Sequence, residues 1–226
     1  MTVSPGIGTG GAPARPAARP IGSTARPALI TVGALGTVLL IVQVVNAIMS
    51  YRLSTDFGVI PRQWNGLDGV LAAPLLHGSW GHLWSNLVPL LIFGFLIFLS
   101  GVRQFIAVTA LVWLVSGLGV WLAGPAHGVT VGASAVVFGW LAYLITRGIF
   151  TRSVGQIVIG IVLLAMYGGV FWTGILRIAL AGDTARISWQ GHLFGALAGV
   201  LAAFLLARSD RRGRRPALAG QLPAGK

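Results

Sequence analysis

Apolar residues run almost unbroken through six stretches of this chain, at about 28–50, 83–100, 104–123, 132–147, 155–177 and 189–207. Each run is near the roughly 20 residues a helix needs to cross a hydrocarbon core. The pattern predicts an all-α polytopic membrane protein with six spans packed as a bundle. The fourth run is short and rich in small residues, so its ends are the least defined by sequence. The first run is too long for a signal-peptide core, and no small-residue cleavage site follows it, so it reads as a retained span. Residues 1–27 hold Pro, Gly, Ala and Ser without apolar periodicity and read as a disordered tail. The membrane domain then covers 28–207, and 208–226 reads as a basic tail. The loop at 51–81 is long and carries Trp64 and Trp80, which are expected at the membrane interface.

Composition strengthens this picture. Hydrophobic residues make up 55% of the 226 positions and charged residues only 9%, against roughly a quarter in soluble domains. The net charge of +12 raises nucleic-acid binding as one reading. The distribution of the charge argues for membrane topology instead. With the N-terminus in the cytoplasm, one side collects Arg15, Arg19, Arg26, Arg103, Arg147, Arg152, Arg208, Arg211, Arg212, Arg214, Arg215 and Lys226. The other side holds Arg52, Arg62, Arg177 and Arg186. That asymmetry follows the positive-inside rule, with both termini cytoplasmic. Arginine nearly to the exclusion of lysine, with abundant Ala and Gly, goes with a GC-rich bacterial gene, and the expected location is the bacterial cytoplasmic membrane.

Polar side chains inside spans are costly and are functional candidates by default. His82 and Asn86 open the second span, Ser134 the fourth and His192 the sixth. All even-numbered spans run the same way, so these four residues are expected at one depth, near the outer surface. Taken singly, each has an ordinary explanation: a serine bonded to its own helix, an interfacial histidine, an asparagine between helices. Their coincidence at one level does not. Gly191, Gly195 and Gly199 recur every four residues and give the sixth span a smooth face, and Gly132, Ala133 and Ala135 surround Ser134. Small residues let backbones approach closely, which a short serine side chain needs if it is to reach an imidazole on a neighbouring helix.

These residues permit acyl transfer. Ser134 would be the nucleophile, and His192 the base, within roughly 2.6–3.2 Å of it. The four acidic residues, Asp56, Asp68, Asp183 and Asp210, lie outside the runs, so no span offers a carboxylate to orient the imidazole. The expectation is a Ser–His dyad without the usual acid, held by packing against Phe138, one helical turn beyond Ser134. Asn86, His82 and the Ser134 backbone N–H would donate to the oxyanion. The chain has neither cysteine nor glutamate. That removes thiol chemistry, disulfides and a His-Glu-x-x-His metal site. An aspartyl mechanism needs two carboxylates sharing a site. No metal or cofactor is expected.

The segment from His77 to Asn86, His-Gly-Ser-Trp-Gly-His-Leu-Trp-Ser-Asn, resembles the second-span motif of the rhomboid family. Gly132-Ala133-Ser134-Ala135 resembles the family's Gly-x-Ser-x motif, and the run from His192 through Gly195 to Gly199 its sixth-span motif. The resemblance spans roughly 58–207 in order and spacing. It implies a six-helix bundle with a water-filled cavity opening to the outer face, cleaving transmembrane protein substrates beside small, helix-destabilising residues. Carried over by position, Ser134 is nucleophile, His192 base, and His82 and Asn86 part of the oxyanion hole. His77 is the accompanying histidine with a structural role. Ala135 stands where glycine is common and Phe138 where tyrosine is frequent. Neither departure removes a catalytic atom.

Two rivals stand beside an intramembrane serine endopeptidase. One is a catalytically inactive rhomboid-like protein that binds membrane clients, which retention of Ser134 and His192 argues against. The other is a small transporter, which would carry more ionisable residues along a pathway. The lipid bilayer is a partner in every reading and nucleic acid in none. The physiological substrate and the oligomeric state are not written in the sequence.

Overall fold

The computed structural model describes residues 21–125, 128–181 and 187–214. The long helices are α1 (Ile21–Ile48), α4 (Trp80–Phe98), α5 (Val102–Ala123), α6 (Ser134–Thr151), α7 (Val154–Phe171) and α9 (Trp189–Arg214). Short helices α2 (Arg52–Asp56), α3 (Gly69–Ala72) and α8 (Arg177–Ala181) lie between them. A π-turn over Trp172–Leu176 joins α7 to α8, so the fifth span runs on to Ala181. Among the described residues, six helices are long and apolar enough to cross a membrane, which makes the chain an all-α, multi-pass membrane bundle. Among the described residues the only extended pairing is a single bridge, Val59 to Thr130.

The ends of the helices follow local chemistry. Ser79 caps α4, its hydroxyl accepting the His82 backbone N–H at 3.1 Å, which satisfies one of the orphan donors of the first turn. Gly132 has φ +117°, a conformation closed to side chains, and it turns the chain into α6. The Gly132 N–H donates to the Ala73 carbonyl at 2.8 Å, tying this turn to the segment before α4.

α6 is the most enclosed span and α7 the least. Trp140 and Tyr143 of α6 are fully buried and belong to one core with Phe93, Ile97, Val108 and Val112. α6 and α9 touch backbone to backbone. A methyl on Gly195 would overlap the Ala135 carbonyl oxygen, and one on Gly199 the Gly139 carbonyl oxygen. The small-residue face expected of the sixth span is therefore used, and only glycine permits the contact at those two positions.

The long first loop is pinned to α5 rather than free. Trp113 donates to the Val70 carbonyl at 3.0 Å and Trp121 to the Gln63 carbonyl at 2.9 Å. Arg62 caps the end of α5 through the Leu122 and Gly124 carbonyls. Trp64 remains exposed and leans on Trp121 at 5.8 Å between ring centroids.

Helices and charged groups extend beyond the apolar runs. Helical backbone begins at Ile21, inside the segment read as a tail to residue 27, and continues to Arg214, past the boundary at 207. Hydrophobicity marks where the bilayer is, whereas a helix can propagate into polar sequence beyond it. Arg147, counted among the cytoplasmic-side cations, is buried in α6, its Nη2 3.2 Å from Asp210 Oδ2 and its guanidinium over the Tyr143 ring. Asp210, in turn, lies in the last turn of the sixth span. Residues 1–20 of the tail, with Arg15 and Arg19, lie outside the described residues, as do Asp183, Arg186 and residues 215–226.

Candidate functional site

Ser134 is the first residue of α6, His192 the fourth of α9, and His82 the third of α4. All three therefore stand at the same end of the bundle, where these helices begin. The Ser134 Oγ lies 2.9 Å from His192 Nε2. The approach follows from the glycine face, because Gly195 lets α9 rest on the Ala135 carbonyl one residue past the serine. The ring of Phe138 stacks on the imidazole with centroids 4.1 Å apart and planes 7° from parallel. Phe138 is itself braced edge-on by Phe171 of α7 at 5.6 Å. The other ring nitrogen of His192, Nδ1, is 2.7 Å from the Gly174 carbonyl in the π-turn.

A carboxylate is present in α9 after all, but not where it could serve His192. Asp210 lies 18 residues further along the helix, which at 1.5 Å per residue is about 27 Å away. It pairs with Arg147 near the opposite end of the bundle.

His82 and Asn86 converge on the glycine two residues before Ser134. A methyl built on Gly132 would sit 2.6 Å from His82 Nε2 and 3.7 Å from Asn86 Nδ2. One amide N–H of Asn86 donates to the His82 carbonyl in its own helix at 3.1 Å, and an amide carries two such donors. His77, fully buried, accepts the Ala133 N–H at its Nε2 at 3.4 Å and meets the His82 ring edge-on at 5.0 Å. It lies between Leu76 and Ser79, ahead of the α4 span. Burial, with the neighbouring His82 next in size, lowers its pKa from 6.5 to about 4, against a smaller opposing pull from the Leu75 carbonyl. Neutral His77 is what the contact requires, since a protonated ring has no lone pair left to accept the Ala133 N–H.

A cavity of about 640 Å³ opens beside these residues. Ser134, His82, Gly132 and Ala135 line it, joined by Ser116 and Gly117 of α5 and by Ser188 and Gly191 at the start of α9. Ala135 thus lines the cavity, and a methyl built on Gly191 would still be 3.8 Å from the Ala135 methyl.

Sequence reasoning missed two contributors. One is the Gly174 carbonyl, which no residue type advertises. The other is a buried polar set behind His77: Asn46 of α1 donates to the His77 carbonyl at 3.1 Å and to the Ser54 hydroxyl at 2.8 Å. Asn46 was visible as a polar residue late in the first run, but its partner lies 31 positions away.

The rhomboid domain family model matches residues 63–209, more than half of the chain. An uncharacterized protein of Mycobacterium tuberculosis is 43% identical over 187 residues, covering 80% of this chain and 76% of the relative. An uncharacterized protein of Mycobacterium bovis matches with the same figures. A third, from Mycobacterium leprae, is 39% identical over 190 residues, covering 82% and 74%. With this match over three of the motifs and a six-span bundle around them, the chain belongs to the rhomboid family.

Proposed function

We propose that this chain is an intramembrane serine endopeptidase that cleaves transmembrane protein substrates with Ser134 and His192. The observation that carries this reading is the 2.9 Å contact between Ser134 Oγ and His192 Nε2 beside an open cavity, in a family of intramembrane proteases. Serine becomes a useful nucleophile only with a base in hydrogen-bond reach, and here it has one.

The reaction follows from these positions. Ser134 Oγ attacks the scissile carbonyl carbon as its proton passes to His192 Nε2. The carbonyl oxygen takes up the negative charge, and His82, the second amide N–H of Asn86 and the Ser134 backbone N–H would donate to it. The carbon–nitrogen bond then breaks, and His192 returns its proton to the leaving amine. Water from the cavity attacks the acyl-enzyme, giving up a proton to His192, and the free acid and Ser134 are released. Phe138 keeps the imidazole plane fixed throughout by stacking. His77 acts behind the site, holding the turn that presents Ser134. The sorting of basic residues supports a site at the outer face of a bacterial cytoplasmic membrane, with both termini inside.

A serine-directed fluorophosphonate probe tests this. Ser134 is expected to be labelled in the folded wild-type protein, with labelling absent in Ser134→Ala. A folded wild-type chain that resists the probe would favour the inactive client-binding alternative.

A further inference from the structure

His192 has two ring nitrogens, and the contact that fixes one decides the role of the other. A backbone carbonyl can only accept. The 2.7 Å contact between Nδ1 and the Gly174 carbonyl therefore places the ring hydrogen on Nδ1. In a neutral imidazole that leaves Nε2 bare, facing the Ser134 hydroxyl at 2.9 Å. In three-membered serine hydrolase sites a carboxylate does this work, holding the imidazole in the productive tautomer and orientation. Among the described residues no carboxylate stands near His192, since Asp210 is engaged with Arg147 at the far end of α9.

We propose that the backbone carbonyl of Gly174 takes the place of that carboxylate, acting as the positioning group that sets the His192 tautomer; this rests on the protease reading above. Three further observations meet at this point. Gly174 lies within the π-turn at Trp172–Leu176, in which the Arg177 N–H reaches back to the Trp172 carbonyl. Such turns are rare in helices and recur at functional sites. Position 174 is also tight: a methyl there would overlap the edge of the Phe138 ring and come within 3.3 Å of His192 Nδ1, so one of these rings would have to shift. Finally, the same stretch of chain supplies Phe171, which braces the Phe138 ring that stacks on the imidazole. The segment around the π-turn thus fixes His192 both in plane and in tautomer. A neutral acceptor also suits an apolar surrounding, where an ionised carboxylate would carry a heavy desolvation cost.

The test uses the full chain in lipid nanodiscs. Nitrogen-15 NMR of labelled histidine, recorded at neutral pH in the inactive Ser134→Ala protein, is expected to show His192 protonated at Nδ1 and bare at Nε2. Gly174→Ala is expected to disturb that signal and, in the active protein, to lower kcat by about tenfold or more with KM within about twofold. Gly169→Ala serves as the control on the same helix, because nothing lies within 4 Å of a methyl there; it should leave both readouts unchanged. Should Gly174→Ala fail to fold, replacing Ile175 with its α-hydroxy analogue decides the matter. That change turns the Gly174 carbonyl into an ester carbonyl, a weaker acceptor, without adding bulk, and kcat should again fall while KM holds. A His192 ring protonated at Nε2 in the Ser134→Ala protein would overturn the proposal, as would full kcat in the variant that weakens the acceptor. Absence of cleavage by the wild-type chain would overturn the protease reading instead, while the NMR measurement would still report the tautomer.

Discussion

Gly195→Ala is the sharpest perturbation of the helix contact that brings Ser134 to His192. A methyl at this position would overlap the Ala135 carbonyl oxygen and lie 2.9 Å from the carbonyl carbon. Ordinary contact between such atoms begins near 3.4 Å. Restoring it for the carbon alone takes about half an ångström, and more for the oxygen, so α9 and α6 must separate by about 1 Å. Gly195 lies three residues after His192, and Ala135 directly follows Ser134. Most of that separation is therefore transmitted to the 2.9 Å contact, stretching it to about 3.9 Å, outside hydrogen-bond range. A misplacement of about 1 Å costs on the order of 10²-fold in rate, and overpacking a tight contact costs about 1–3 kcal/mol of stability. The assay is cleavage of a single-span substrate in liposomes, paired with thermal unfolding of the same preparation. Gly155→Ala, where a methyl meets nothing within 4 Å, is the matched control and should behave as wild type. Cleavage by Gly195→Ala at the wild-type rate would refute the idea that this backbone contact sets the dyad distance.

Other outcomes follow from single contacts. Gly132→Ala combines φ +117° with a methyl 2.6 Å from His82 Nε2. It should cost about 1–3 kcal/mol of stability and most of the activity, and wild-type cleavage would contradict the turn's role. His77 is held neutral in the folded state, its pKa near 4 against 6.5 when unfolded. Between those values the unfolded chain binds the extra proton, so this contribution to stability is intact above pH 6.5 and is lost as pH falls toward 4, by on the order of 3 kcal/mol. Unfolding titrations across that range should show a slope that shrinks in His77→Phe; identical slopes would remove His77 as its source. Arg147→Ala strips a buried side chain of its Tyr143 and Asp210 contacts and should destabilise by about 2–4 kcal/mol. Asp210 is half exposed, so Asp210→Asn should cost about 1 kcal/mol. Thermal unfolding that ranks the two in the opposite order would contradict this account of the pair.

The fold was legible because the bilayer writes its thickness into sequence. Six apolar runs and four-residue glycine spacing were enough to place α6 against α9. Ser134 and His192 were legible for a related reason: a polar side chain is conspicuous in an apolar span, and two of them at one level invite pairing. Helix ends were less legible, because α1 and α9 run beyond the apolar stretches that announce them. The Arg147–Asp210 pair was hidden by 63 residues of separation and by the position of both groups at the edges of their runs. The Gly174 carbonyl was the least legible of all. Every residue carries a carbonyl, and only the path of the π-turn aims this one at His192. Asn46 and Ser54 could be seen as polar residues, but not that they anchor the segment bearing His77.

Catalysis through the Ser134–His192 contact is tested most directly by cleavage of a single-span substrate in liposomes. Purified wild-type protein should release two fragments cut within or beside the span, and Ser134→Ala and His192→Ala, each shown to be folded, should release none. Equal product from either variant, or none from the folded wild type, would contradict the account.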